Sequence, residues 1–378
     1  MKNRILIAQN SFKECADSVT IAELIKKNLS SLMNTELITK PISDGGDGFI
    51  QVCKYYFGGK IKTYKISTAY EEAIFDCPVL YIESKKEIYI ESAEVLGLKK
   101  VPFQFRNPLK LSSKGLGELL LKIEEEIKHR KLNVEKVYLG IGGTATIDLG
   151  LGMMSKLGLK LFDTSGKELN VLPENFSIIE SIDYNPYKFP FKIIPIIDVT
   201  NPLLGNNGGL RTFGKQKGAD DKVISYLEKS FNHVINLLKY KELTISSKIL
   251  SGAGGGIPAA FQIFHNSNII ASSEFIKSHL GIEEHKRNID YLITGEGAYD
   301  AQSDSGKGVK TLIEIFKIDA RQIFLVCGKI SGSSFKNLPK NVFPIELSKY
   351  FANEKDSIAN FKEGIEKACK EIISQINF

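Results

Sequence analysis

The chain has 378 residues, too many for one ordinary core, so two domains are expected. Its apolar and charged shares, 43% and 25%, are those of a water-soluble globular protein, and no run of about 18 apolar residues offers a membrane span. The net charge of +6 is mild and its lysines are spread along helix faces, which argues against a nucleic-acid partner.

In chain order, MKNRILIAQN passes straight into the strand RILIAQ without a signal-peptide h-region, so a cytoplasmic location is expected. From Asp17 the spacing turns helical, with Ile21, Leu24, Ile25, Leu29 and Leu32 on one face and Asp17 or Ser18 as cap. TELITKPI is a second strand, SDGGDG follows it, and a helix is expected near Phe49 to Phe57. Then IKTYKIST, FDCPVLYIE and EIYIESA alternate as short strands, with ESKKE as a hairpin turn. GLGELLLKIEEEIKHR is a helix, VYLGI a strand, and LKLFDTSGKEL a two-stranded excursion turning on Ser165-Gly166. IIPIIDV is a buried strand, and Val223, Leu227, Phe231, Val234 and Leu238 mark a long helix. The end of the chain returns to β-α grammar with YLITGEG, a helix from about Val309, IFLVCGK, FPIELS and a closing helix carrying Ile358, Phe361, Ile365 and Ile372. The five cysteines are scattered, with no disulfide framework and no CxxC pattern, and the five histidines form no HxxxH pair, so a zinc site is not expected.

This grammar predicts an α/β fold of two domains. One is a doubly wound, Rossmann-like parallel sheet built from both chain ends, residues 1–62 plus 286–378. The other is a mixed α/β domain inserted in mid-chain, residues 63–285, with parts of 112–158 open to packing with the first. Ligands in such sheets lie at the carboxyl ends of strands.

Those ends carry the chemistry. RILIAQ is followed by Asn10-Ser11-Phe12-Lys13, TELITKPI by Ser43-Asp44-Gly45-Gly46-Asp47-Gly48, and VYLGI by Gly142-Gly143-Thr144-Ala145-Thr146-Ile147-Asp148. IIPII leads to Asp198, SSKIL to Ser251-Gly252-Ala253-Gly254-Gly255-Gly256, and YLI to TGEGAYDAQSDSGKG with Glu296, Asp300 and Lys307. Glycine-rich turns and helix N-termini bind anions, and Mg2+ takes a few carboxylates plus phosphates. The inventory fits a nucleotide-dependent kinase or another phosphate enzyme. Neither GxxxxGK[ST] nor GxGxxG occurs, and the HRD and DFG pattern is missing, so three common nucleotide-binding classes fall away. Taken singly, a glycine-rich turn could merely close a strand on a helix, Lys13 or Lys307 could be a solvated lysine, Asp198 an N-cap and Arg106 a surface charge.

The strings NSFKECADS, SDGGDG, RNPLKLSSKGLGELL, GIGGTATIDLG, DVTNPLLGNNG with FGKQKGA, SGAGGGI and TGEGAYDAQSDSGK together resemble the ordered motif series of the type I glycerate kinases, over nearly the whole chain. The resemblance implies transfer of the ATP γ-phosphate to glycerate, giving 2-phosphoglycerate, in a cleft between two α/β domains. It implies ATP and Mg2+ as cofactors, glycerate as partner, and a monomer or homodimer.

Residue by residue, Ser11, Phe12 and Lys13 match DSFK, but Asn10 stands for its aspartate. Asp44, Gly45, Gly46 and Gly48 match DGGEG, with Asp47 for glutamate. Asn107 and Pro108 match. In GGSATNDGG, Thr144 keeps the hydroxyl and Asp148 is retained, while Ile147 replaces asparagine. Asp198 and Asn201 match. In TGEGRxDxQT, Glu296, Asp300 and Gln302 remain, and Ala298 replaces the arginine. The expected catalytic group is therefore Lys13, Asp44, Asp198, Glu296 and Asp300. Gly142, Gly143, Thr144, Gly254, Gly255 and Lys307 would hold nucleotide phosphates. Ser11, Arg106 and Asn107 would hold the substrate, and Asp198 and Glu296 the metal. The departures keep two alternatives open: a kinase of another small hydroxy acid, and a non-catalytic binder of nucleotide or glycerate.

Overall fold

The computed structural model describes residues 2–32, 34–70, 73–240, 249–300, 308–331 and 338–376. The chain forms two compact units, residues 1–56 with 271–378, and residues 57–270.

The first unit is built on a five-stranded sheet whose strands are all parallel. Its order is Val342–Glu346, Gln322–Cys327, Tyr291–Gly295, Asn3–Gln9, Thr35–Thr39. From Asn3–Gln9 the early chain steps outward to one side, and from Tyr291–Gly295 the late chain steps outward to the other. The order thus reverses between Asn3–Gln9 and Tyr291–Gly295, the switch point of a doubly wound sheet. Ile5, Ile7, Ile293, Phe324 and Val326 point to one face and pack with Ile21, Ala22, Ile25 and Leu29 of helix Ser18–Leu29 and with Ile365, Cys369 and Ile372 of helix Phe361–Ile376. Leu6, Ala8, Leu292 and Leu325 alternate with them and are also fully buried, so both faces are covered. Asp17 is the N-cap of the first helix and accepts from the Thr20 amide at 2.9 Å. Each large apolar side chain buried this way contributes about 1.5–3 kcal/mol.

The second unit carries a six-stranded mixed sheet. Ile74–Ile82 runs antiparallel to its two neighbours, Lys60–Ser67 and Glu87–Glu91, and Glu87–Glu91, Lys136–Ile141 and Lys192–Ile197 run parallel. A two-residue strand, Ile270–Ala271, ends the sheet. Lys60–Ser67 pairs along its whole length with Ile74–Ile82, which ties residues 60–62 to this unit. Helix Lys114–Lys128 lays Leu116, Leu119, Leu120 and Ile123 into the core, and helix Asp221–Tyr240 adds Leu227, Phe231, Val234 and Leu238.

Three local expectations change. The excursion Lys160–Phe162 and Glu168–Leu169 gains a third strand, Ser181–Asp183, on its other side. The closing helix divides into Glu354–Ala359 and Phe361–Ile376 around Asn360, whose Nδ2 donates to the Asp356 carbonyl at 3.0 Å. Ahead of SGAGGG, the described residues Ile249 and Leu250 are coil, and the chain there meets the fold through a β-bridge between Pro202 and Ser251 and the bond from the Leu203 amide to the Leu250 carbonyl. Among the described residues no helix is long and apolar enough to cross a membrane.

Candidate functional site

In the first unit the expected residues gather at the switch point. Gln9 pairs with Gly295, and the Asn10 amide donates to the Gly295 carbonyl at 2.9 Å, so Asn10 and Glu296 leave adjacent strands side by side. Gly295 has φ of 153°, and a Cβ there would lie 1.7 Å from the Val326 carbonyl oxygen, so only glycine lets the neighbouring strand approach this closely. Asn10 Oδ1 accepts from the Ser11 amide at 2.8 Å, and Asn10 Nδ2 donates to Asp44 Oδ2 at 2.6 Å. Asp44 Oδ1 accepts from the Gly308 amide at 2.6 Å, at the start of helix Gly308–Phe316. A carboxylate placed there is stabilised by the positive end of the helix dipole.

The Asn10–Asp44 contact explains what the asparagine does. An aspartate at position 10 would set a second carboxylate against Asp44, and the pair would need a shared proton or a cation. Asparagine supplies a donor instead. Ser11 is half-buried, and its carbonyl accepts from Gly297 at 3.3 Å. Lys13 is exposed, its backbone next to Gly297. Glu296 is half-buried, and its carbonyl accepts from the Gly328 amide at 3.2 Å. Asp300, also half-buried, follows the short strand Ala298–Tyr299, which pairs with Lys329–Ile330. Ala298 itself is exposed. Lys307, with Gln302, Ser303, Asp304 and Gly306, lies outside the described residues.

In the second unit three strand-end loops are knitted together. Ile141 pairs with Ile197, so Gly142 and Asp198 leave neighbouring parallel strands in register, and Asp198 is half-buried. The 198–209 loop joins the 249–256 loop through the Leu203 amide to the Leu250 carbonyl, 2.7 Å, and the Gly252 amide to the Asn201 carbonyl, 2.9 Å. The 249–256 loop then stacks on residues 146–149: the Leu149 amide donates to the Gly255 carbonyl at 3.1 Å. Gly255 has φ of 72°, and a Cβ on it would lie 1.9 Å from the Thr146 carbonyl oxygen. Close packing of two loops is thus one reason for glycine there.

The expected ligand-holding groups of this unit are partly spent on the fold. The Gly142 amide donates to Ser92 Oγ at 3.1 Å, and the Gly143 carbonyl accepts from Leu98 at 2.9 Å. Arg106 is exposed, and its Nε donates to the Val101 carbonyl at 3.0 Å. Asn107 closes its own turn, Oδ1 accepting from the Leu109 amide at 3.0 Å. Ile147, in place of the family's asparagine, is absorbed into the core.

Two buried charges carry more than the sequence suggests. Asp148 is fully buried and accepts four hydrogen bonds: Oδ2 from Ser113 N, 2.7 Å, Ser113 Oγ, 2.7 Å, and Gly152 N, 3.2 Å, and Oδ1 from Gly150 N, 3.1 Å. Burial pushes its carboxyl above the ordinary range, against the pull of those bonds. Lys217 is buried beneath the GGTAT turn, and its Nζ donates to Thr144 Oγ1 at 3.1 Å and to the Thr146 carbonyl at 3.0 Å. Burial pushes its ammonium down to about 8, with Asp148 opposing. The one local signal for Lys217 is the glycines around it in FGKQKGA: Gly218, at φ of 93°, lets the chain pass close to the Arg106 carbonyl. Among the described residues no group of three or more His, Cys, Asp or Glu could hold a metal.

The model of the glycerate kinase family matches residues 5–377. A glycerate kinase of Bacillus cereus is 30% identical over 379 aligned residues, covering 98% of this chain and 97% of its own. A glycerate 2-kinase of Escherichia coli is 33% identical, over 80% of this chain and 79% of its own. A crystal structure described as glycerate kinase 2 from Salmonella typhimurium superposes with a TM-score of 0.77 at 26% identity, covering 99% of this chain and 98% of that one. With motifs at the strand ends, and a family match from end to end, this chain belongs to the glycerate kinase family.

Proposed function

We propose that this chain is an ATP-dependent kinase that transfers the γ-phosphate to a hydroxyl of glycerate and forms 2-phosphoglycerate. The observation that carries the reading is the convergence of Asn10, Asp44 and the Gly308 amide at the switch point of a doubly wound sheet. Phosphoryl transfer asks mainly for positioning and charge neutralisation, and strand ends rich in carboxylates and amides supply both.

Lys13, exposed, neutralises a phosphate or the glycerate carboxylate, with Ser11, Arg106 and Asn107 helping to seat the acid. Asp44 and Asp198 orient the acceptor hydroxyl, and Glu296 or Asp300 takes its proton. The turns at Gly142, Gly143 and Thr144 and at Gly254 and Gly255, with Lys307, bear on the nucleotide phosphates. Asp198 and Glu296 are half-buried hard oxygen donors, the chemistry Mg2+ uses when phosphates and water complete its shell. Mg2+, when bound, would neutralise charge on the phosphate oxygens. The same reading assigns the enzyme to the cytoplasm, as a monomer or homodimer, with no nucleic-acid partner.

The test is ADP release by the purified protein with Mg-ATP, with and without D-glycerate. Glycerate-dependent release is expected, as is its loss by about a hundredfold or more in D198N and E296Q with the fold intact. Near wild-type rates in both variants would sink the role assignment. Ala298 favours a second reading, another small hydroxy acid as acceptor, because alanine cannot make the bidentate contact an arginine would give a carboxylate. A panel of hydroxy acids in the same assay separates the two, and nucleotide or glycerate binding without any turnover would point to a non-catalytic binder.

A further inference from the structure

Lys217 is a buried cation to which the roles above give no task. A lysine ammonium has three donors and no acceptor. Two donors reach Thr144 Oγ1 and the Thr146 carbonyl. The third has no hydrogen-bond partner among the described residues. Because the ammonium only donates, Thr144 Oγ1 accepts from it, and the threonine's own proton is turned elsewhere. That proton also meets no acceptor among the described residues. Both residues are nearly sealed from solvent, Lys217 at 6% exposure and Thr144 at 3%. Gly254 borders the hydroxyl, since a Cβ there would lie 3.7 Å from Thr144 Oγ1. Two unspent donors beside a positive charge, in a desolvated corner, call for an anion. Asp148 supplies one negative charge, but its two oxygens already accept four bonds from other groups.

We propose that Lys217 is a positioning residue that fixes the Thr144 hydroxyl as a hydrogen-bond donor to a phosphate of the bound nucleotide at the GGTAT turn. The proposal rests on the kinase reading given above. Lys217 acts through Thr144 and does not reach the reacting atoms. Its loss frees the hydroxyl to rotate, so the phosphate loses a preset donor and the nucleotide binds more weakly.

The test compares wild type with K217M, T144V, T144S and the K217M/T144V double variant. KM and kcat are measured for Mg-ATP and for D-glycerate, and the Kd of a non-hydrolysable ATP analogue is measured by calorimetry. K217M and T144V are each expected to raise the ATP KM and the analogue Kd about tenfold, the scale of one hydrogen bond to a charged group. The glycerate KM should move less than about twofold, the level at which an unrelated contact stays silent. T144S keeps the hydroxyl and should recover most of the affinity. The double variant should bind no worse than about twofold beyond the weaker single variant, because both changes remove one interaction. If K217M fails to fold, the near-isosteric T144V variant keeps the inference falsifiable, because the hydroxyl that Lys217 fixes must then be shown to matter to the nucleotide. Wild-type nucleotide affinity in T144V, or multiplying effects in the double variant, would overturn the inference while leaving the kinase reading intact. A shift in the glycerate KM alone would overturn it in favour of a carboxylate. A wild-type protein that binds no nucleotide would bring down both.

Discussion

Asp148→Asn removes one charge and almost no volume, so its effect reports on charge and hydrogen bonding and not on packing. Oδ2 serves three donors, Ser113 N, Ser113 Oγ and Gly152 N, and Oδ1 serves Gly150 N. An asparagine has one acceptor oxygen. Set at the Oδ2 position, that oxygen keeps three bonds, now to a neutral acceptor. The NH2 then faces the Gly150 amide, donor against donor. A buried amide left without an acceptor costs about 1–3 kcal/mol, and charge-assisted bonds weaken by about half when the charge goes. Against this stands relief from burying a carboxylate, the same burial that pushes the Asp148 carboxyl up. The balance is a loss of about 2–3 kcal/mol, which for a unit of this size lowers Tm by about 5–10 °C. Thermal melts at pH 7 followed by circular dichroism check it. A Tm within a degree of wild type would refute the reasoning, because it would mean that the carboxyl is already neutral in the folded protein.

Three further perturbations follow from the same contacts. The Lys217 ammonium, held near 8 when folded, has released its proton between about pH 8 and 10.5 while the unfolded chain keeps it, so stability should rise with pH over that window by up to about 3 kcal/mol. Urea titrations at pH 7.5 and 10 should show this rise flattened in K217M, and equal slopes in the two proteins would contradict the burial of the charge. Asn10→Asp sets two carboxylates at the 2.6 Å contact with Asp44, which raises the carboxyl pKa of the pair above its unfolded value. The variant should therefore match wild type near pH 4 and lose about 2 kcal/mol by pH 8, and a pH-independent difference in Tm would speak against the shared-proton pair. Ala298→Arg, at an exposed position, should leave stability within about 0.5 kcal/mol and change the ranking of hydroxy-acid acceptors in the ADP-release assay; an unchanged ranking would remove position 298 from acceptor choice.

Periodicity and caps made most of the fold legible. Ile21, Ile25 and Leu29 recur at helical spacing behind Asp17, and the buried face and cap follow as expected. The apolar runs ILIA, YLIT and IFLV become inner parallel strands, since a strand covered on both faces must be apolar throughout, while LIT forms the half-exposed edge strand. The division at Asn360 was harder to see because Ile358 and Phe361 fit one apolar stripe, while the Asn360 side chain competes for a backbone carbonyl. Ser181–Asp183 is too short to carry a pattern and is a strand only through its partner Lys160–Phe162.

The site was legible by motif and less so by role. Asn10 looked like the loss of a charge, and its bond to Asp44 emerges only when strands far apart in sequence lie together. Gly255 looked like a phosphate cradle, and the structure adds a packing reason for it in the Thr146 carbonyl. Lys217 was hidden by its own chemistry. A lysine in sequence is expected in water, and what buries this one is a turn more than seventy residues upstream.

The pairing of Asn3–Gln9 with Tyr291–Gly295 also sets an order of events on the ribosome. The Thr294 hydroxyl donates to the Ala8 carbonyl across 286 residues of chain. At about 5–20 residues per second, the first strand emerges about 15–60 s before the strand that will shield its inner edge. Residues 57–270, a compact unit of the finished fold, are all synthesised before then, while the opening strand still has one bare flank. Ile5, Leu6 and Ile7, fully buried in the finished protein, can meet helix Ser18–Leu29 and strand Thr35–Thr39 early, but must wait for Tyr291–Gly295 and the late chain to complete their burial. Until Tyr291–Gly295 is made, that flank of Asn3–Gln9 has no partner strand, and slowing translation lengthens the interval in direct proportion.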